Sequence, residues 1–190
     1  MEMLRGKVAL VTGGSRGIGL AIARALAADG VKVSVTGLSD AHLSSARAQI
    51  ESAGPSAVET LRADVRDFAD IERAINGTVG RFGGLDILIN NAGILPDNRI
   101  PGKFEDRSLL ETPLEVFLSA MQTNAFGAIR VCQSFAPLLR KSQSGRIVNV
   151  RLTPVEVGHL ARRDDGRGRL TTHEAACGRT RRDQKPVEQQ

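Results

Sequence analysis

The sequence predicts an α/β fold, a doubly wound parallel sheet of about five strands followed by a disordered basic C-terminal tail. Three observations predict it. Short apolar runs give way to segments of helical period three times before residue 90, which calls for parallel strands joined by crossover helices. A glycine-rich turn separates the first run from the first helix. The alternation then stops at Val150. Among the next forty residues only Leu152, Val155, Val157, Leu160, Leu170 and Val187 are large and aliphatic, too few to offset the entropy of ordering a chain.

The elements follow in order. Lys7–Thr12 is a short apolar run ending in glycines, as suits a strand buried on both faces. Gly17–Asp29 is a helix with Ile18, Ala21, Ile22, Ala25 and Leu26 on one face, stopped by Gly30. Val31–Thr36 is a second strand and Ala41–Ala53 a second helix, ended by Gly54-Pro55. Ala57–Leu61 and Leu85–Asn90 are the third and fourth strands, with the helix Phe68–Phe82 between them. A polar loop, Pro96 to Leu110, leads to the longest helix, over 113–141. There Thr112 is the expected N-cap, Pro113 the first helical residue and Glu115 the partner in a capping box. Leu114, Phe117, Met121, Ala125, Ala128, Cys132, Phe135 and Leu139 recur along this helix at helical spacing. Arg146–Val150 is the fifth strand, and each crossover is expected to be right-handed.

Composition narrows the function. Residues 1–150 carry 17 Lys and Arg against 15 Asp and Glu, a balance of +2, whereas 151–190 carry 9 against 6, a balance of +3. The folded part is nearly neutral, and no Phe, Tyr or Trp accompanies the tail's arginines to stack on bases, so a nucleic-acid partner is not expected. No apolar run approaches the roughly 20 residues of a membrane span, and the opening run is too short for a secretion signal. Two widely spaced cysteines, Cys132 and Cys177, point to a reducing compartment, so a cytoplasmic location is expected. Metal-ligand spacing is lacking, and no metal is expected.

The chemistry sits in Thr12-Gly-Gly-Ser-Arg-Gly-Ile-Gly19. In a strand–turn–helix context of this Rossmann-like kind, Gly13 permits the tight turn and Gly17 lets backbone approach a pyrophosphate. Gly19 lets the helix pack closely. The helix N-terminus then offers free N–H groups and a positive dipole end to the phosphates.

Together with Asp64-Val65 after the third strand, Asn90-Asn91-Ala92-Gly93 after the fourth and Asn124 in the long helix, this turn resembles the short-chain dehydrogenase/reductase family. The resemblance covers residues 5–150. It implies an NAD(P)-binding Rossmann domain over 1–150, with 151–190 an irregular or disordered Arg-rich tail. It also implies hydride transfer between nicotinamide and a carbonyl or alcohol carbon of a small molecule. By resemblance, Gly13, Ser15, Arg16, Gly17, Ile18, Gly19 and Leu38 bind the cofactor. Asp64 and Val65 meet the adenine, and Asn91, Ala92 and Gly93 line the adenosine ribose. Asn124 matches the catalytic Asn that anchors a water in the proton relay, and the long helix over 113–141 forms a homo-oligomer interface. NADP is favoured over NAD: no acid follows the second strand until Asp40, and Arg16 can pair with a 2′-phosphate. Many NADP-dependent members carry an Arg just after Gly37, where this chain has Leu38.

The family's Tyr, which exchanges a proton with the substrate oxygen, and its Lys four residues later have no counterpart, because the chain contains no Tyr. The Ser-Ser expected after strand five is Arg151-Leu152. Neither Thr153 nor Lys185 supplies the missing acid–base pair. The catalytic half is therefore expected to be truncated or frameshifted after Val150, leaving a carbonyl-reductase-like oxidoreductase with only its cofactor half. The alternatives are an inactive dinucleotide-binding or interaction module and a non-functional product. Family members run on for about a hundred residues by resemblance. Without them the fifth strand is expected to be a bare sheet edge, and the protein marginal unless self-association covers it.

Overall fold

The computed structural model describes residues 4–94 and 112–150; the predicted loop Pro96–Leu110 and the predicted tail 151–190 lie outside them. Five parallel strands, β1 (Val8–Val11), β2 (Lys32–Gly37), β3 (Val58–Arg62), β4 (Ile87–Asn90) and β5 (Arg146–Asn149), form one sheet in the order β3-β2-β1-β4-β5. The helices are α1 (Gly17–Ala28), α2 (Asp40–Glu51), α3 (Phe68–Phe82), α4 (Leu114–Met121) and α5 (Ala128–Leu139).

Strand alternation splits the core in two. Ala9 and Val11 of β1 join Val33, Val35, Ile87 and Ile89 in one apolar layer, closed by Ala23 and Ala27 of α1 and by Leu43, Ala46 and Ile50 of α2. Val8, Leu10 and Leu88 point the other way, to Ile71 and Ile75 of α3 and Val131 and Phe135 of α5. Because successive side chains of a strand point to opposite faces, an uninterrupted VALV run is what a strand covered on both sides requires.

Helix boundaries follow local chemistry. Asp67 caps α3 by accepting from the Ala69 and Asp70 N–H groups at 2.8 and 3.3 Å, and Gly83, at φ +83°, ends it in the left-handed conformation. The N-cap position expected at Thr112 lies one residue later, and its residue makes no side-chain cap. Pro113, at φ −59° and ψ 144°, is itself the flanking residue, and the helix starts at Leu114.

Two predicted helix faces are also corrected. The sheet-facing stripe of α1 is Gly19, Ala23 and Ala27, while Ala21 and Ala25 are exposed and Ile18 is half exposed. Small residues let the helix backbone settle close to the sheet, and the larger aliphatics are pushed to its margins. Between α4 and α5 the chain makes one wide, π-type turn, Gln122–Gly127. The buried stripe of the long helix is accordingly Ala120, Thr123, Gly127, Val131 and Phe135, and the predicted core positions Leu114 and Met121 are exposed.

β5 is an edge strand of the described sheet and exposed along its length. It is tied to β4 by Asn90, whose Nδ2 donates to Asn149 Oδ1 at 2.8 Å and to Cys132 Sγ at 3.2 Å. At the opposite end of the strands, Asp86 joins three segments. Its Oδ2 accepts the Val8 N–H at 3.0 Å and its Oδ1 the Ser142 hydroxyl at 2.8 Å. Replacing Asp86 with alanine strands both donors and is expected to cost about 2 kcal/mol of unfolding free energy, read as a lower urea midpoint at unchanged slope.

Candidate functional site

Strand order turns round between β1 and β4: β2 and β3 lie to one side of β1, and β4 and β5 to the other. Ligands of open α/β sheets bind outside the carboxyl ends of the strands at such a switch point. The turn after β1 and the loop after β4 meet there. Gly13 and Gly17 both take positive φ, +65° and +56°, a conformation only glycine adopts cheaply. A Cβ on Gly13 would stand 2.9 Å from Ala92 Cα, and one on Gly19 2.4 Å from Asn91 Nδ2 and 2.5 Å from the Gly13 carbonyl oxygen. A Cβ on Gly17 would meet nothing within 4 Å beyond its chain neighbours and its own helical turn. Two glycines are thus required by the protein's own packing, whereas Gly17 borders open space.

The two loops are laced together. Asn91 Nδ2 donates to the Thr12 and Gly13 carbonyls at 3.0 and 3.1 Å. The Thr12 hydroxyl donates to the Ile89 carbonyl and accepts the N–H groups of Asn91 and Ala92, both at 3.1 Å. Arg16 is the residue flanking α1, in extended backbone and without a side-chain cap to the helix, so the helix's first N–H groups have no partner from that source. Its side chain is exposed. Ser15 stands against Gly37 at the end of β2, where a Cβ would lie 2.7 Å from Ser15 Oγ. The neighbouring Leu38 is 60% exposed.

Gly93 and Asn124 form a second cluster. Asn124 accepts the Ile94 N–H on Oδ1 and donates from Nδ2 to the Ile94 carbonyl, both at 2.8 Å, so its side chain is committed to fixing the loop after β4. A Cβ on Gly93 would come within 3.3 Å of that Oδ1. After β3 the two residues of the motif diverge. Val65 is buried among Leu10, Ile71 and Val131, where a Cβ on Gly127 would reach 2.8 Å from its Cγ2. Only its backbone remains available to a ligand. Asp64 is partly exposed and paired with Arg66, whose hydrogen bonds hold the Asp64 carboxyl below its ordinary value.

Thr12, Gly14, Gly37 and Arg66 are given no role in the motif reading, yet each is fixed by close contacts or hydrogen bonds around these loops. A Cβ on Gly14 would lie 2.7 Å from Val35 Cγ1, so the second glycine of the turn is as constrained as the first. A polar residue closing an otherwise apolar strand is the signal by which Thr12 could have been found. Among the described residues, no group of three or more His, Cys, Asp or Glu could hold a metal ion, and no helix is long and apolar enough to cross a membrane.

A family model described as short chain dehydrogenase matches residues 7–154. The chain belongs to the short-chain dehydrogenase family. It is 36% identical over 151 residues to a 3-oxoacyl-[acyl-carrier-protein] reductase of Synechocystis sp., covering 79% of this chain and 57% of that protein. Among solved structures it resembles levodione reductase, with a TM-score of 0.70 and 31% identity over 76% of this chain and 54% of that one. It also resembles NAD+-bound xylitol dehydrogenase, with a TM-score of 0.70 and 27% identity over 77% of this chain and 53% of that one. The chain spans a little over half the length of these relatives. The five-stranded Rossmann-like sheet is the part it shares with them.

Proposed function

We propose that this chain is the dinucleotide-binding part of an NAD(P)-dependent oxidoreductase acting on a small carbonyl or alcohol compound, and that it binds NADP(H) in preference to NAD(H). The observation that carries the reading is the turn after β1, where Gly17, at positive φ and bordering open space, opens a helix whose first N–H groups receive no side-chain cap from Arg16. A diphosphate fits such a cradle by accepting those N–H groups at the positive end of the helix. The exposed Arg16 beside this turn supports pairing with a further phosphate. Gly37 has no room for a carboxylate side chain beside Ser15, which supports NADP over NAD, since NAD recognition uses an acid that accepts from the ribose 2′-OH. Bound NADPH supplies the hydride. Asp64 faces the adenine, Asn91 and Thr12 hold the two loops in register, and Asn124 fixes the loop after β4. The apolar face formed by Leu114, Leu118, Met121, Phe126 and Ile129, each at least two-fifths exposed, supports self-association through the long helix.

Hydride transfer to a carbonyl also needs a proton donor at the oxygen, and the chain has no Tyr for that role. This favours a second reading, binding without turnover. Fluorescence titration with NADPH, run beside an oxidation assay over a panel of carbonyl compounds, separates the two. Micromolar binding with no NADPH consumption is the expected result. Turnover would show that another acid serves in place of Tyr, and no binding by a folded protein would overturn the proposed function.

A further inference from the structure

The motifs single out Asp64, but the structure shows that Asp64 does not stand alone. Arg66 Nε donates to both carboxylate oxygens at 3.0 Å, its Nη2 donates to Oδ2 at 2.6 Å, and its backbone N–H donates to Oδ1 at 2.9 Å. The clamp is itself braced. Arg130, reaching across from α5, donates from Nη1 to the Arg66 carbonyl at 2.9 Å. On the other side the Asp64 N–H donates to Asp70 Oδ2 at 2.9 Å, and Asp70 is in turn paired with Arg73. A carboxylate offers about four acceptor positions, and this fork occupies most of them. What is left of Asp64 points in a fixed direction, with about a quarter of its side chain still exposed. An acceptor held in one orientation before a ligand arrives discriminates between donor and acceptor groups better than one free to turn.

We propose that Arg66 is the positioning residue for the base end of the dinucleotide, aiming the Asp64 carboxylate so that it accepts the exocyclic amine of adenine and disfavours a base bearing a carbonyl there. This rests on the reading of Asp64 as the residue that faces the adenine. The rejection has a simple cause: a carbonyl presented to a carboxylate leaves two acceptors facing each other with no proton between them. A planar guanidinium fork fixes the carboxylate plane, which a lysine ammonium, a point charge, does not.

The test compares NADPH with its hypoxanthine analogue, in which a carbonyl replaces the adenine amine, by fluorescence titration of the full chain. Wild type is expected to prefer NADPH by about tenfold. Arg66→Ala should bring that preference close to one, with little change in Tm, because exposed ion pairs contribute little stability. Arg66→Lys keeps the charge without the fork and should stay undiscriminating. The proposal is overturned if Arg66→Ala keeps the wild-type preference, if it weakens both dinucleotides equally, or if Lys restores full discrimination. Wild type binding both analogues equally tightly would also overturn it, yet leave dinucleotide binding standing. Wild type binding neither would remove the binding reading and this proposal with it.

Discussion

Gly17→Ala is expected to weaken NADPH binding by about a hundredfold or more while leaving the protein folded. The effect follows from the asymmetry among the turn's glycines. At Gly17 a methyl group meets no atom within 4 Å beyond its chain neighbours and its own helical turn, so the main cost to the fold is the left-handed backbone, roughly 1 to 2 kcal/mol. A domain holding the usual ~5 to 15 kcal/mol tolerates that. The same methyl enters the space over the first turn of α1, where a diphosphate has to come within hydrogen-bonding distance of backbone N–H groups. Losing two charge-assisted bonds of roughly 1.5 to 3 kcal/mol each accounts for the predicted loss of affinity. Gly19→Ala is the control. Its methyl would collide with Asn91 Nδ2 and the Gly13 carbonyl, so stability and binding should fall together. Thermal melting beside fluorescence titration reads both variants. A Gly17→Ala protein that binds NADPH like wild type would take the turn out of the site.

The turn was legible in the sequence because glycine is dictated by backbone geometry, and backbone geometry is set within a few residues. The same holds for strands covered on both faces, and for α3, whose end at Gly83 a single residue announces. Helix faces were less legible. Hydrophobicity nominates Ile18 and Leu26 to face the sheet; Leu26 does pack at the margin of the core and Ile18 is half exposed, while close approach gives the buried stripe to Gly19, Ala23 and Ala27, small residues that carry little hydrophobic signal. The wide turn at Gln122–Gly127 was hidden because its cause lies elsewhere in the chain. The helix must bring Gly127 against Val65 and Asn124 against Ile94, both contacts with segments at least thirty residues away. Arg66 was passed over for a related reason. An exposed arginine two residues from an aspartate is ordinary in sequence, and only the four hydrogen bonds between them and the brace from Arg130 distinguish it.

The largest loss of stability is expected from Phe135→Ala. Phe135 is fully buried and, among the described residues, the bulkiest of the completely enclosed side chains; it lies with Val131 in the layer that α5 shares with Leu10, Leu88, Ile71 and Ile75. Truncating such a ring costs about 3 to 5 kcal/mol through lost burial and the cavity left behind, a large fraction of the total for a domain of this size. Nine residues earlier on the same long helical segment, Phe126 is 41% exposed, and Phe126→Ala should change the monomer's unfolding free energy by less than about 0.5 kcal/mol. The contrast tests the helix face directly, since Phe135 belongs to the stripe read from the sequence, Phe126 does not, and nine residues of helix place the two rings on opposite sides. It also bears on the site. α5 carries Arg130, which braces Arg66, and Cys132, which receives Asn90, and Asn124 sits in the wide turn just before it. Loosening the Phe135 anchor should therefore release the loops after β3 and β4 together, so that Phe135→Ala also weakens dinucleotide binding below its own unfolding midpoint. Equal urea midpoints for the two alanine variants would mean that α5 is not docked through Phe135, and the brace on Arg66 would lose its support.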